Sequence, residues 1–221
     1  RMMDHVADRL VFITENEEKN VRKLGATTSG NVIYNPVAIG FEQLTGYKQL
    51  YPDRRFKVCC LSNYSWIRGI DRFVEVAQVL KRQGRTDVVF VVAGNMQLPS
   101  NLPGDLGEIA SRGGDLSDYA KSKEVSEMFV FLGHVNDPDR VLFGCDVVAR
   151  PSRIGNPWGR EILEGMMLGK AAIALGTYQG FVINDETGFL LANYSPESFA
   201  ARITYLADNP AIVRQLGASA K

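Results

Sequence analysis

The chain has 221 residues, and its 25 Lys and Arg balance its 25 Asp and Glu, so the formal net charge is zero. This balance argues against binding to nucleic acid or to an anionic membrane surface, and the longest apolar stretch, residues 88–93, is too short for a transmembrane segment. The cysteines, Cys59, Cys60 and Cys145, form no C-x-x-C pair, which indicates reduced thiols in a cytoplasmic protein rather than a disulfide framework or zinc site.

The first elements predicted along the chain are short. Residues 10–13 form an apolar run typical of a strand, and residues 17–24 are polar and helix-forming, with Gly25 suited to the C-cap. Residues 26–30 are small and flexible, as in a linker. Residues 32–34 indicate a second strand, which ends at Asn35 and Pro36.

From residue 56 onward, predicted strands and helices alternate. Strands are predicted at residues 56–61, 88–93, 129–132, 146–149, 171–174 and 188–191. Helices are predicted at residues 70–82, 118–128, 138–143, 160–168, 198–207 and 211–216, and residues 99–115 are predicted to be a loop with a short helix at most. This alternation predicts an α/β fold, a Rossmann-like parallel sheet with helices on both faces.

Folds of this kind bind ligands at the carboxyl ends of their strands. No G-x-G-x-x-G follows a predicted strand, and the sequence contains no G-x-x-x-x-G-K-[ST]. A dinucleotide-dependent oxidoreductase and a P-loop enzyme are therefore disfavoured.

The segment from Pro151 to Lys170 gives the strongest indication of chemistry. A strand ends, a loop follows, and a helix begins near Gly159, where free N–H groups and the helix dipole favour an anion. A carboxylate at Glu164, on the polar side of that helix, can accept two hydrogen bonds from a vicinal diol such as a ribose. Spacing alone favours the simpler interpretation, in which Arg160 and Glu164 form a solvated i,i+4 pair.

The order of residues in this segment is similar to a known signature. The PS at residues 151–152, the NPWGREILEGM at 156–166 and the GKAAIA at 169–174 resemble the signature block of the family 4 retaining glycosyltransferases. That block has P-S, E-x-F-G, a second Glu, A-M and G-x-P-V-[IV]-A. Glu164 stands at the second Glu, and Asn156 stands where the first is usual.

Other motifs extend the resemblance along nearly the whole chain. They are the RGID at residues 68–71, the VVAG at 91–94, the FLGHV at 131–135, the CDV at 145–147 and the DETGFLL at 185–191. The family has K-G-[IVL]-D, a strand followed by Gly, F-x-G-x-[VL], A-D-V and D-G-x-T-G-x-L-V at these places. No single fragment is specific, but their shared order and spacing are.

The resemblance implies one half of a GT-B glycosyltransferase, in which two Rossmann-like domains face a cleft and the C-terminal one binds the nucleotide-sugar donor. It implies two catalytic candidates, Glu164 for the ribose hydroxyls and Arg68 for the diphosphate. By residue type alone, Arg68 would more simply be an exposed cation at a helix start. The donor-binding residues that it implies, largely through their backbones, are Asn63, His134, Val135, Asn156, Pro157, Trp158, Gly159 and Arg160.

The sequence also departs from the family pattern. Asn63 stands where a second cation for the diphosphate is usual, and Asn156 carries no charge beside the donor sugar. These changes indicate altered donor choice or a weakened enzyme. For His134 we favour a backbone contact to the base over a general-base role. No Asp or His cluster has metal-ligand spacing, so no metal or cofactor is predicted beside the nucleotide diphosphate sugar as substrate.

The resemblance also divides the chain. Residues 1–30 are expected to be the residual end of an N-terminal domain with a linker, and residues 31–221 the C-terminal nucleotide-sugar-binding domain. The implied reaction transfers a sugar to an acceptor hydroxyl with retention. The acceptor, a glycan, a lipid or a small molecule, would be bound by the missing N-terminal domain, so this chain alone is expected to be inactive. In the full-length protein, peripheral attachment to a membrane stays open.

Two other functions on the same fold stay open. One is a nucleotide-sugar epimerase, which needs acid and base groups in the cleft, and the sequence offers no convincing carboxylate–histidine set for it. The other is a non-catalytic nucleotide-sugar-binding module derived from such a transferase, in which Asn63 and Asn156 record the lost chemistry.

Overall fold

The computed structural model describes residues 7–37 and 54–221 of the chain. The chain forms two compact units, Arg1–Ala38 and Ile39–Lys221. Among the described residues, no helix combines the length and the apolar character that crossing a membrane requires.

The first unit contains a small β-α-β element. Strand β1 (Leu10–Phe12) and strand β2 (Gly30–Val32) pair in parallel, and helix α1 (Glu15–Lys23) connects them. The structure differs here from the predicted boundary after residue 30, which falls inside β2. Residues 30–32 stay in the first unit because they hydrogen-bond to β1, a pairing that local composition does not reveal. The origin of this unit in an N-terminal domain stays a prediction.

The second unit is built on a six-stranded parallel sheet. Its strands are β3 (Phe56–Leu61), β4 (Val88–Ala93), β5 (Phe129–Phe131), β6 (Val147–Arg150), β7 (Ala171–Leu175) and β8 (Gly188–Leu191). They lie in the order β5-β4-β3-β6-β7-β8, and every pairing is parallel. This is the doubly wound order of Rossmann folds, so the predicted fold class is confirmed.

Helices cover both faces of this sheet. They are α2 (Arg72–Arg82), α3 (Gly104–Ser111), α4 (Leu116–Ser122), α5 (Pro138–Phe143), α6 (Arg160–Met167), α7 (Pro196–Asp208) and α8 (Pro210–Ala220). On one face, Cys60 and Phe90 lie in a core with Phe73 of α2. On the other face, Cys59 lies in a second core with Ile162 of α6. Adjacent strand residues point to opposite faces, so strands covered on both sides are apolar throughout.

The helix predicted at residues 118–128 is shorter in the structure and begins earlier. Asp115 caps helix α4, its carboxylate accepting from the N–H of Ser117 at 2.8 Å, and Asp118 completes the capping box. The chain then leaves the helix at Glu124, whose φ of 57° is left-handed, and a 3-10 turn at Ser126–Met128 leads into β5. Capping chemistry therefore sets both ends of this helix, rather than apolar spacing.

Candidate functional site

The strand order places a crevice at the carboxyl edge of the sheet. Strands β3 and β6 are neighbours at its centre, and the chain progresses outward from them in both directions. The loops that follow β3 and β6 therefore run to opposite sides and leave an opening between them. The predicted donor residues follow strands β3, β5 and β6, which end at this edge.

Two adjoining cavities open there. The first, of about 290 Å³, is lined by Leu61, Ser62, Arg68, Pro138, Arg160, Glu161 and Glu164. The second, of about 200 Å³, is lined by Leu61, Ser62, Asn63, Ala93, Gly94, His134, Val135 and Pro138. Both cavities share Leu61, Ser62 and Pro138, so they form one cleft. The structure thereby brings together six of the predicted residues: Asn63, Arg68, His134, Val135, Arg160 and Glu164.

Glu164 lies on helix α6 with its carboxylate in the first cavity. Its side chain is only 14% exposed, and its Oε1 accepts from Nε of Arg160 at 2.9 Å. Burial raises the pKa of this carboxyl above its ordinary value, and the nearby Arg160 offsets part of that rise. The Arg160 side chain is 77% exposed, so the solvated i,i+4 pair of the simpler interpretation does exist, with its carboxylate end buried in the cavity.

Arg68 ends the short 3-10 helix Trp66–Arg68 that follows strand β3. Its Nη1 donates to the Ser62 hydroxyl and, at 3.4 Å, to the Asn63 carbonyl. Gly69 then turns the chain with a φ of 69°, a left-handed value that favours glycine. Arg68 and Glu164 come from elements that follow different strands, yet they line the same cavity.

The second cavity is bordered by backbone as much as by side chains. The Asn63 Oδ1 accepts from the N–H of Asn95 at 2.9 Å, so this amide holds the loop after β4 in place. The N–H of Gly94 donates to the Gly133 carbonyl at 2.7 Å and joins that loop to the next. His134 is exposed and Val135 is half-buried. Asn63 therefore has a structural task that the sequence did not reveal.

The loop before helix α6 lies outside both cavities. Neither cavity is lined by Asn156, Pro157, Trp158 or Gly159, all of which the structure describes. Trp158 is buried, with its ring 5.4 Å from that of Phe181 between centroids. The Asn156 Oδ1 accepts from the N–H of Trp158 at 3.3 Å. The side chain of Asn156 thus contacts the loop itself, and its predicted contact with donor sugar stays a prediction.

A buried ion pair beneath this loop is a feature that sequence reasoning missed. Arg150, the last residue of β6, pairs with Glu161 in the first turn of α6, and each side chain is 13% exposed. The Arg150 Nε also donates to the Asn156 carbonyl at 3.0 Å. A Cβ on Gly159 would lie 2.6 Å from both the Arg150 Nη1 and the Glu161 Oε2, so glycine is needed there. Only the Glu161 position, beside two residues already singled out, hinted at this pair.

Metal-binding clusters were also sought. Across the part of the chain that the structure describes, no group of three or more His, Cys, Asp or Glu side chains is arranged to hold a metal ion. The charged groups of the cleft are the guanidinium groups of Arg68 and Arg160 and the carboxylates of Glu161 and Glu164.

Comparison with known families decides the identity of this fold. The family model described as glycosyl transferases group 1 matches residues 47–221, which is most of the chain. The chain belongs to the group 1 glycosyl transferases. The matched region includes all six strands around the cleft and every residue that lines it.

Solved structures agree with this group 1 glycosyltransferase fold. HepE from Anabaena, in complex with UDP-glucose, is 19% identical with a TM-score of 0.77, and the match covers 99% of this chain and 59% of HepE. A TarM mutant from S. aureus, in a complex that includes UDP, is 17% identical with a TM-score of 0.75, and the match covers 99% and 40%. Sucrose-phosphate synthase from Thermosynechococcus elongatus is 20% identical with a TM-score of 0.73, covering 99% and 54%.

The chain therefore spans about half of the length of these proteins, and its fold is that of one half of a GT-B glycosyltransferase. No curated protein sequence matches it.

Proposed function

We propose that this chain is the donor-binding domain of a retaining glycosyltransferase, which moves a sugar from a nucleotide diphosphate sugar to an acceptor hydroxyl. The observation that carries the proposal is the first cavity, where Arg68 and Glu164 meet at the switch point of the sheet. The UDP-glucose complex of HepE and the UDP-containing complex of TarM support a nucleotide-sugar donor for this fold.

In this proposal, Glu164 accepts hydrogen bonds from the two ribose hydroxyls, because an ionised carboxylate offers acceptors only. Arg68 grips the diphosphate, since a guanidinium presents paired donors to phosphate oxygens. Arg160 adds a second cation on the helix side of the same cavity. It supplies positive charge that Asn63, whose amide is bonded to the loop after β4, does not supply.

The chemical task is to stabilise the departing nucleotide diphosphate while an acceptor hydroxyl attacks the same face of the sugar. Preorganised cations that face the developing charge lower the barrier of such a step. Arg68 and Arg160 take that role, so the reaction is expected to need no bound metal. The loop that contains Trp158 and Gly159 approaches the donor sugar, and the acceptor is bound by a domain outside this chain. The full-length protein is proposed to be cytoplasmic, with peripheral membrane attachment open.

Titration calorimetry with UDP, GDP and ADP tests donor binding directly. The wild-type chain is expected to bind at least one of them, and Glu164→Ala is expected to abolish that binding. Glu108→Ala is the matched control, because Glu108 is an exposed carboxylate on helix α3 that lines neither cavity. Absence of binding by the wild type to all three nucleotides would refute the proposal.

A second candidate function is a non-catalytic nucleotide-sugar-binding module. The observation that favours it is the Asn63 side chain, which holds the N–H of Asn95 rather than offering a charge to the cleft. Donor hydrolysis and sugar transfer by the full-length protein separate the two candidates. Nucleotide binding without any turnover supports the module, whereas turnover that Arg68→Gln removes supports the transferase. The isolated chain is expected to bind donor without efficient transfer, and robust transfer by it would contradict this division of labour.

A further inference from the structure

Two loops at the carboxyl edge are tied together by a buried ion pair. Arg153, in the loop after β6, donates from Nη1 to Oδ1 of Asp71 at 2.9 Å and from Nη2 to Oδ2 of the same carboxylate. The Asp71 side chain is 2% exposed and that of Arg153 is 15% exposed. Asp71 immediately precedes helix α2, in the segment that carries Arg68. The pair therefore fixes the loop after β3 against the loop after β6.

Arg153 also holds the 3-10 helix that ends in Arg68. Its Nη1 donates to the Trp66 carbonyl at 2.8 Å, and its guanidinium lies 3.4 Å from the centroid of the Trp66 ring. Its backbone N–H donates to the Ile67 carbonyl at 2.9 Å. Two of the three residues of this helix are thus bound by Arg153, and the third is Arg68.

Further contacts leave this junction little freedom. A Cβ on Gly69 would lie 2.2 Å from the Pro151 carbonyl oxygen, so the two loops are in close contact at that point. The Ser152 hydroxyl donates to the Ile67 carbonyl at 3.3 Å. The Nη1 of Arg72 donates to the carbonyls of Pro151 and Ser152, at 3.1 Å each. The segment that carries Arg68 is held from both sides of the crevice.

We propose that Arg153 and Asp71 are positioning residues that orient Arg68 toward the donor diphosphate, an inference that rests on the proposed function. Neither residue lines the cleft, so they act through Arg68 rather than on the ligand. A bidentate pair with a stacked ring fixes the plane of a guanidinium as a single point charge does not. Well-packed apolar side chains can replace a buried ion pair at little cost in stability, so a positioning role accounts for the pair better than stability does.

The test is Arg153→Lys, which keeps the charge and loses both the bidentate geometry and the planar stack. Affinities for UDP, GDP and ADP, and for uridine, guanosine and adenosine by competition, are measured in the 221-residue chain. The expected result is a loss of about tenfold for the diphosphate that the wild type binds, and no loss for its nucleoside, because Glu164 is untouched. In an Arg68→Gln background, Arg153→Lys is expected to cause no further loss.

The matched control is Arg85→Lys. Arg85 also pairs in bidentate fashion with an aspartate, Asp87, and its side chain is 17% exposed, but it precedes strand β4 at the opposite edge of the sheet. This variant is expected to keep wild-type affinities. If Arg153→Lys fails to fold by thermal unfolding, Trp66→Leu decides, since it removes the stacked ring at a partly exposed position and leaves the ion pair intact.

Unchanged diphosphate affinity, an equal loss for the nucleoside, or losses that add to that of Arg68→Gln would each overturn the inference. Failure of the proposed function looks different: the wild type then binds no diphosphate, or Arg68→Gln leaves its affinity unchanged, and the inference falls with it.

Discussion

Replacing Glu164 by Gln tests the cleft most sharply, because it removes a charge and preserves the shape of the side chain. In the proposed site the carboxylate accepts from two ribose hydroxyls, and the amide keeps one acceptor oxygen. A hydrogen bond to a charged group contributes about 1.5–3 kcal/mol, so the loss of one weakens nucleotide binding by about tenfold to about a hundredfold.

The same substitution is expected to leave the fold intact. The partner of the carboxylate, Arg160, is 77% exposed, and an i,i+4 pair of this kind contributes about 0.3–0.5 kcal/mol. Against this small loss stands the cost of a charge whose pKa is raised by burial. A carboxyl with a raised folded-state pKa contributes stability below its unfolded pKa and loses it as the pH rises through the folded pKa. Glu164→Gln is therefore expected to match or exceed wild-type stability at neutral pH, and to lose that advantage in acid.

The assays are calorimetric titration with the nucleotide diphosphate and urea unfolding at pH 7 and pH 4. Glu108→Gln serves as the control, since it makes the same chemical change at an exposed position on helix α3. Wild-type affinity in Glu164→Gln would refute the role of the carboxylate. A fall in stability that parallels the fall in affinity would refute the separation of binding from folding.

Three further outcomes follow from the same site. Nucleotide affinity of the wild type is expected to fall, as the pH is lowered, at a pH above the ordinary Glu value of about 4.3, because burial raises the pKa of Glu164, and titrations of Glu164→Gln should lack this fall. Gly159→Ala is expected to displace the Arg150–Glu161 pair and to lower the free energy of unfolding by about 1–3 kcal/mol, which urea denaturation measures and which an unchanged midpoint would contradict. Addition of EDTA is expected to leave nucleotide affinity unchanged by calorimetry, and a loss that added Mg²⁺ restores would disprove a metal-free site.

Much of this fold was accessible from the sequence because its strands are buried on both faces. Runs such as Val88–Ala93 have no other explanation in a chain of this composition, and the glycines and prolines between them limit where helices can lie. The order of the strands was not accessible, since hydrogen-bonded neighbours such as Val58 and Val147 are far apart in the chain. The same limit misplaced the first domain boundary, which depended on the pairing of β1 with β2.

The candidate site was accessible where a residue's role follows from its place beside a strand or helix end. Glu164 and Arg68 were singled out in this way, and the structure places both in one cavity. Residues that act through distant partners were not accessible. The task of Asn63 depends on Asn95, and Arg153 is separated by 82 positions from the carboxylate it pairs with. Only the folded chain brings such partners together.

The salt bridge between Arg160 and Glu164 has a consequence for how a nucleotide would enter and leave. The empty cleft already contains its own counter-ion, so in the proposed site an incoming donor exchanges partners with the protein instead of filling vacant ones. The net gain is then the difference between two sets of contacts, which keeps affinity below the sum of the new ones. On departure of the spent nucleotide, the two side chains reunite and take back what the ligand gave up. A transferase that must discard a charged product after every cycle would have, in this pair, a built-in competitor that favours turnover over retention.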